Sequence, residues 1–235
     1  FSVRDPDIRS FNKSKKKFNK NKIMVVEGTN KSQIRRFYKS YYKLKSKNLP
    51  FITAKMAITK DFFSINKKSK YITNDFSRAR GHLIRSIHDC LLTSSKTVSN
   101  DNPILNCRIL GLEDKSPTWI ILDKNLKISL SSRIVKSAKK IKTIIFYNSF
   151  NKKKVRFLKK SKIKLLKIPI TNKNEFDLIY VVKKIKTLGF SKILLEAGVK
   201  LTDVFLKKKL IDEFLLFISS KKIYKNGAKS FKRSF

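Results

Sequence analysis

The sequence is poor in cysteine, histidine and glycine. It has 2 cysteines, 2 histidines and 6 glycines among 235 residues. Cys90 and Cys107 do not form a CxxC pair, so the chain supplies neither a disulfide framework nor the ligand set of a structural zinc site. The glycines do not include a GxGxxG set, which the common doubly wound dinucleotide-binding fold carries after its first strand. That fold is therefore excluded.

Long apolar runs are absent as well. The longest uninterrupted run near the end, Phe214 to Ile218, is far shorter than the ~20 residues that a membrane helix needs. The N-terminus has no apolar signal segment. We therefore expect a cytoplasmic protein with no membrane partner. Because the chain begins at Phe1 and stops at Phe235, shortly after a turn-like Lys225-Asn226-Gly227, we also expect a fragment at both ends.

Negative charge is scarce and positive charge abundant. The chain has 57 Lys and Arg against 16 Asp and Glu, a formal net charge of +41. Such an excess ordinarily suggests nucleic-acid binding. Here it is mostly Lys, accompanied by many Asn, Ile and Phe, and it is spread along the chain, so we interpret it as solvated surface lysines. The runs Lys136 to Lys142 and Lys152 to Lys164 are the first places to look for nonspecific polyanion binding.

From Phe51 onward, apolar runs of strand length alternate with amphipathic stretches of helix length. This alternation predicts an α/β fold with a mainly parallel sheet. The predicted strands are Phe51 to Ile58, Cys90 to Thr93, Thr118 to Leu122, Thr143 to Tyr147, Lys164 to Ile168, Lys192 to Leu195 and Glu213 to Ser219. The predicted helices are Asp75 to Ser86, Val155 to Lys160, Glu175 to Leu188 and Lys200 to Lys208.

The first 48 residues have a different composition. Lys13 to Lys22 is nearly all Lys, Asn and Ser, and Ile34 to Leu44 is predicted to form one basic, aromatic-rich helix. We place a domain boundary near Asn48-Leu49-Pro50.

Two strand ends carry candidate chemistry. In Cys90 to Arg108, an apolar strand opens into a predicted loop of hydroxyl residues, an acid, a proline and an arginine, which is typical of a ligand site at the carboxyl end of a strand. In Leu194 to Thr202, a strand ends in Glu196, and Gly198 precedes a helix whose free N–H groups suit a phosphate. Gly198 is equally compatible with a simple tight turn.

These motifs, together with Phe51 to Asp61 and Ser69 to Thr73 in the same order, resemble the reductase domain of the bacterial bifunctional riboflavin-biosynthesis deaminase/reductase family. The resemblance covers roughly Leu49 to Gly227, and Ser69 to Arg108 matches without a gap. It implies a dihydrofolate-reductase-like three-layer fold with a mainly parallel central sheet. It also implies that residues 49–235 are an NADPH-dependent reductase domain, truncated at its C-terminus.

The resemblance further implies reduction of the ribosyl group of a phosphoribosylamino-uracil to a ribityl chain, and a homodimer. By motif, the cofactor positions are Ala57, Tyr71, Thr97, Asp101, Gly198, Val199, Lys200, Leu201, Thr202, Asp203 and Val204. The substrate positions are Ser69, Arg85, Leu105, Arg108 and Glu196. These types suit the ligands, because guanidinium groups bind phosphates and a carboxylate accepts from base or ribose donors.

Lys55 and Glu196 are the candidates for polarising or protonating the sugar group during hydride transfer. Other interpretations stay open for several of these residues. Lys55 lies within a strand and either points into the site or extends along a sheet edge. Arg85 is also compatible with a surface cation, and Asp101-Asn102-Pro103 with an ordinary turn.

Residues 1–48 resemble the tail of the same family's zinc deaminase domain plus a linker, through Arg4 to Arg9 and Lys22 to Gly28. Deamination needs a zinc-activated water held by ligands in HxE and PCxxC arrangements. Neither arrangement occurs, so this chain as given is not expected to deaminate, and zinc is expected only in a part that the chain lacks. The reductase itself needs no metal.

The chain departs from the family pattern at several positions. Phe62 and Phe63 stand where Gly and a basic residue usually follow the aspartate matched by Asp61. Tyr71 replaces a more usual Trp. Lys124 stands where some relatives have Ser, near the expected adenosine end of the cofactor.

Two rival functions remain. One is a basic nucleic-acid-binding protein, which the scarcity of Arg and the core-like spacing of the aromatics disfavour. The other is an inactive reductase remnant that keeps the fold and cofactor binding without turnover.

Overall fold

The computed structural model describes residues 1–69, 71–149 and 151–231. They fall into two compact units. The first comprises residues 1–51 and 182–191, and the second contains the remaining described residues.

The helices are α1 Lys13–Lys20, α2 Lys31–Phe37, α3 Lys39–Lys47, α4 Asp75–Ser86, α5 Ser95–Asp101, α6 Arg133–Ser137, α7 Lys152–Lys160, α8 Leu178–Thr187 and α9 Val199–Lys207. The strands are β1 Phe51–Thr59, β2 Phe63–Asn66, β3 Cys90–Ser94, β4 Thr118–Leu122, β5 Thr143–Tyr147, β6 Lys164–Lys167, β7 Lys192–Leu195, β8 Glu213–Ser219 and β9 Gly227–Ser230.

The main sheet of the described chain has seven strands in the order β6-β5-β4-β3-β7-β1-β8. The pairs β1–β8, β3–β4, β3–β7, β4–β5 and β5–β6 are parallel. The α/β class with a mainly parallel sheet is therefore confirmed. Since parallel strands end at one edge, the segments after β3, β4 and β7 meet there, which is where such sheets place ligand sites.

The central strands are apolar on both faces, as expected for a sheet covered on both sides. The large side chains of Trp119, Ile121 and Leu91 are fully buried in one cluster with Ile145 and Leu194. Burying each such side chain contributes about 1.5–3 kcal/mol, which makes this cluster a rigid support for the loops at the carboxyl edge.

All seven predicted strands are present in the main sheet, three of them with one end shifted by a residue. Three predicted helices have different starts, and the one predicted over Lys200 to Lys208 is shifted by one residue, to Val199–Lys207. The helix predicted over Glu175 to Leu188 begins at Leu178, because Phe176 forms a bridge with Ile170 and the Asp177 carboxylate accepts the N–H of Ile179. The helix predicted over Val155 to Lys160 begins at Lys152, where the Asn151 side chain caps it by accepting the N–H of Lys154.

In the first unit, the single helix predicted over Ile34 to Leu44 is wrong. The segment forms α2 and α3, separated at Tyr38. No Gly or Pro marks the break. The hydroxyl groups of Tyr41 and Tyr42 in α3 instead bind the N-terminal segment, donating to the Asp5 carboxylate and the Arg4 carbonyl. These contacts between distant segments are invisible to a periodicity argument.

A small antiparallel pair, β2 with β9, was not predicted. The Asp61 carboxylate holds it by accepting the N–H groups of Ile223 and Tyr224 at 3.0 and 2.7 Å. Gly227 is required here because a Cβ at this position would overlap the ring of Phe63.

Candidate active site

A cavity of about 660 Å³ lies at the carboxyl edge of the main sheet. Its walls come from β1, β3 and β4 and from the segments after β3 and β7. Of the predicted site residues, it is lined by Lys55, Ala57, Arg85, Thr97, Asp101, Leu105, Glu196, Gly198, Val199, Lys200, Leu201 and Val204. The structure thus brings together residues that are up to 149 positions apart in sequence.

Arg85 and Glu196 form a buried ion pair at the base of the cavity. Arg85 on α4 donates from Nε to Glu196 Oε1 and from Nη2 to Oε2, both at 2.9 Å. The Arg85 and Glu196 side chains are 12% and 11% exposed. A bidentate pair of this kind fixes both groups in plane and in register. The interpretation of Arg85 as a surface cation is therefore wrong.

Lys55 completes the cluster from β1. Its Nζ lies 4.0 Å from Glu196 Oε2 and 5.6 Å from the centre of the Phe217 ring, and its side chain is 20% exposed. The side chain lines the cavity. Of the two orientations that its strand position allows, it takes the one toward the site.

Glu196 is held in its ionised form. Burial alone would raise its pKa, but the positive charges of Arg85 and Lys55 and the hydrogen bonds from Arg85 outweigh burial and lower the pKa to about 2. The same pair raises the pKa of Arg85 above its ordinary value against the opposing effect of burial. At neutral pH the site therefore contains a fixed carboxylate between two cations.

The segment after α5 is tied down by hydrogen bonds to its backbone. The Trp119 indole donates to the Leu105 carbonyl at 3.1 Å. The Asn106 carbonyl accepts from Arg85 Nη1 at 3.2 Å and from His82 Nδ1 at 3.0 Å. Since a carbonyl only accepts, His82 carries its hydrogen on Nδ1 in this contact. Burial, with the charges of Arg85 and Arg108, lowers the pKa of His82.

The loop predicted after the strand of Cys90 is partly helical. Ser94 caps α5 by accepting the N–H of Thr97, and the helix ends where Asn102 takes a left-handed conformation, with φ of 38°. Thr97 and Asp101 therefore reach the cavity from one short helix. The sequence predicts a loop here because small polar residues are typical of turns. The same residues are also typical of helix caps, which is the role that Ser94 has.

The start of α9 forms another wall. Gly198 precedes the helix, and no side chain caps it. The first N–H groups of a helix have no partner within the helix, and Gly198, Val199, Lys200 and Leu201 line the cavity. This is the arrangement that binds phosphate groups at helix N-termini.

Five predicted site residues do not line the cavity. Thr202 is buried, and its hydroxyl faces the Gly198 carbonyl at 3.4 Å. Asp203 pairs with Lys207 on the outside of α9. Tyr71 lies against Arg78, Ser69 donates to the Tyr71 carbonyl, and Arg108 is exposed and bonds to Ile104 and Asn106.

The cavity also contains residues that were not predicted. These are Met56, Ser64, Ile65, Ser94, Ser95, Lys96, Asn100, Pro103, Leu122, Asn174, Glu175, Phe176, Leu178 and Ala197, with Lys124 noted only as a departure. Lys124 donates to the Asn174 carbonyl at 2.5 Å, which fixes this wall. A signal was available for Leu122 and Lys124, since Leu122 ends a predicted parallel strand and Lys124 follows it. None was available for Asn174 to Phe176, which begin seven residues beyond the end of β6.

The described ranges contain no cluster of three or more His, Cys, Asp or Glu side chains placed to hold a metal ion. They contain no helix of the length and apolarity that crossing a membrane requires.

The fold and cavity define an α/β protein with a ligand site at the carboxyl edge of a parallel sheet. Residues 50–231 match the family model described as the RibD C-terminal domain. The chain belongs to this family.

Two individual relatives are consistent with this family assignment. The chain is 28% identical over 219 residues to riboflavin biosynthesis protein RibD of Aquifex aeolicus, covering 92% of this chain and 59% of that protein. It is 28% identical over 170 residues to 5-amino-6-(5-phosphoribosylamino)uracil reductase of Buchnera aphidicola, covering 66% of this chain and 77% of that protein. The chain thus spans about three fifths of the length of the RibD relative.

A solved structure confirms the fold. The deaminase/5-amino-6-(5-phosphoribosylamino)uracil reductase of Thermotoga maritima superposes with a TM-score of 0.80 at 24% identity, over 99% of this chain and 62% of that chain. The predicted reductase-domain fold, with its mainly parallel sheet, is therefore confirmed.

Proposed function

We propose that this protein reduces 5-amino-6-(5-phosphoribosylamino)uracil to its ribitylamino product with NADPH, a step of riboflavin biosynthesis. The observation that carries the proposal is the cluster of Lys55, Glu196 and Arg85 in a cavity bounded by the uncapped start of α9. The names of the Buchnera and Thermotoga relatives supply the substrate.

The cavity fits a nicotinamide dinucleotide. The open N–H groups at the start of α9, with Lys200 beside them, suit its pyrophosphate. Thr97 and Asp101 on α5 supply hydroxyl and carboxylate partners on a neighbouring wall, and Ala57 leaves room for a flat ring. Lys124 favours the 2′-phosphate that distinguishes NADPH. When bound, the cofactor supplies a hydride.

The reaction requires a proton as well as a hydride. Reduction of the ribosyl unit forms a C–H bond at C1′ and breaks the bond from C1′ to the ring oxygen, which leaves as a hydroxyl. Lys55 is the residue that donates this proton or polarises the ring oxygen. Glu196 is not a proton donor near neutral pH, since its pKa is about 2. It orients Lys55 and Arg85 and stabilises positive charge that develops at C1′.

Arg85 and Leu105, which also line the cavity, contact the substrate. Arg85 is already held by Glu196 and the Asn106 carbonyl, so it presents its charge without losing side-chain freedom on binding. We assign the phosphate group to Arg108, which is exposed at the end of the same segment and does not line the cavity. Ser69 stays a proposed substrate contact.

The direct test is to mix the purified protein with NADPH and the substrate and to follow the nicotinamide absorbance band. Oxidation that depends on the substrate supports the proposal. A folded protein that binds NADPH without oxidising it is the inactive remnant, and one that binds neither ligand refutes the assignment.

We further propose that residues 1–48 derive from a zinc deaminase domain and its linker. The division of the described chain after Phe51 supports a boundary near Asn48-Leu49-Pro50. We also propose a cytoplasmic location and a homodimer. The position of β8 at one end of the sheet, with its apolar side chains only partly buried, supports the homodimer. Light scattering on the purified protein tests it.

A further inference from the structure

A second cavity lies at the carboxyl edge of the main sheet, at the flank formed by β5, α7 and β6, and it shares no lining residue with the first cavity. It has a volume of about 390 Å³ and is lined by Tyr147, Ser149, Lys152, Val155, Arg156, Lys159 and Lys167. Four of these seven residues are cations and none is an acid. A concave site with this lining attracts anions and repels cations.

The stretch of sequence that contains this flank is more positively charged than the composition of the whole chain explains. Residues 124–174 contain 17 Lys and Arg and not one Asp or Glu. An even spread of the 16 acids over 235 residues would place about three or four of them in this stretch. Elsewhere, acidic side chains pair with cations, as Glu196 does with Arg85. Residues 124–174 themselves supply no acidic side chain for such pairs.

The helix α7 organises these charges on two adjacent faces. Leu158 is buried and Val155 packs against the core, which turns Lys152, Arg156 and Lys159 toward the cavity. Phe157 points elsewhere and is 45% exposed. Its neighbours at helical spacing are Lys153, Lys154 and Lys160.

An exposed aromatic ring among cations, next to a cationic groove, is the combination with which proteins hold single-stranded nucleic acid. The cations follow the phosphates, and the ring stacks on a base that a duplex would keep inside its stack. We propose that the flank formed by β5, α7 and β6 binds single-stranded RNA without sequence preference. This activity is separate from the reductase site and does not depend on it.

The test uses fluorescence anisotropy with labelled oligouridine, longer than the site sizes of about 4–16 nucleotides known for such grooves. Salt is varied from about 50 to 200 mM KCl. The test variant is Lys152→Glu/Arg156→Glu/Lys159→Glu. The matched control is Lys136→Glu/Lys139→Glu/Lys140→Glu, which makes the same change of charge at exposed lysines of the same acid-free stretch but outside the cavity. Circular dichroism verifies that each variant is folded.

We expect the cavity variant to bind at least about tenfold more weakly, and its plot of log affinity against log salt to be shallower by about 2, as loss of three phosphate contacts predicts. The control variant should lose less than about threefold. Equal losses in both variants would overturn the proposal in favour of nonspecific attraction to the net charge. Absence of binding by the unaltered protein would also overturn it.

Phe157→Ser tests the stacking contact separately. It should weaken RNA binding about fivefold or more without changing the salt slope. Phe76→Ser, at a phenylalanine of α4 that is 87% exposed, should have no effect. If Phe157→Ser binds normally, or if a duplex of the same length or inorganic tripolyphosphate competes as well as the single strand at equal phosphate concentration, the flank is a general anion site and the proposal is wrong.

Discussion

Charged side chains follow different rules at the centre of the sheet and at its β5–β6 flank. At the centre, Lys55, Arg85 and Glu196 are nearly buried, and the carboxylate lies between two cations. At the flank, the lysines of α7 are mostly exposed. Burial makes each central charge depend on its partners, because removing one leaves an uncompensated ion. Exposed charges instead act through a long-range field that salt screens.

The largest expected effect is on turnover, at Lys55. Lys55→Met should lower kcat by about 100-fold or more, since it removes the proton donor, while NADPH binding changes little. Stopped-flow oxidation of NADPH measures the first quantity and fluorescence titration the second. Lys60→Met, at an exposed lysine just after β1, is the control. A kcat that survives Lys55→Met would remove Lys55 from the chemistry.

The next effect is on stability, at Glu196. Glu196→Gln leaves Arg85 buried without a counter-ion and should lower the free energy of unfolding by about 3 kcal/mol, measured by urea denaturation. Asp114→Asn, which breaks a pair in which both side chains are more than 60% exposed, should change it by less than about 0.5 kcal/mol.

The pH dependence of the same pair has a defined sign. The pKa of Glu196 is depressed from 4.5 to about 2 in the folded protein, so its contribution is fully present above pH 4.5 and is lost as the pH falls toward 2. The stability difference between the unaltered protein and Glu196→Gln should therefore shrink below pH 4.5. A difference that stays constant down to pH 3 would show that Glu196 is not ionised by its partners.

A smaller effect is expected at Trp119, which holds the wall of the cavity at Leu105. Trp119→Phe removes the donor to the Leu105 carbonyl and also the volume of one ring of a fully buried indole, at a cost of at least about 1 kcal/mol. Because Leu105 is a wall of the cavity, the KM for the aminouracil substrate should rise several-fold while kcat changes little. An equal fall in kcat instead would mean that this segment takes part in the chemical step.

The smallest effect on reduction is expected at the flank. The triple variant at Lys152, Arg156 and Lys159 should retain its kcat within about twofold at moderate salt, because none of the three residues lines the reductase cavity and salt screens the field of exposed charges. A large loss of turnover would show that the β5–β6 flank and the central cluster are coupled, and the two regions would then not act independently.

The sequence predicts the sheet well and the walls of the site less well. The runs that became β3, β4 and β7 are apolar and of strand length, so their local pattern determines them. Lys55 and Glu196 follow from the motifs on their own strands. The bidentate contact of Arg85 with Glu196 joins positions that are 111 residues apart, which no local pattern encodes. The wall at Asn174 to Phe176 depends on the bridge to Ile170, which no local pattern predicts.

The backbone conformation of single residues is another feature that the sequence alone does not predict. Phe62 adopts φ of 67°, a left-handed conformation that favours glycine, and only the resemblance to a family with Gly at that position draws attention to it.

The most direct test of the central claim follows the hydride itself. The protein is incubated with the aminouracil substrate and NADPH that carries deuterium at C4 of the nicotinamide, and the product is analysed by mass spectrometry and NMR. We predict one deuterium in the product, located at C1′ of the ribityl chain, and its loss in parallel with turnover in Lys55→Met. Product without deuterium when both C4 positions are labelled, or no product from the folded protein, would contradict this account.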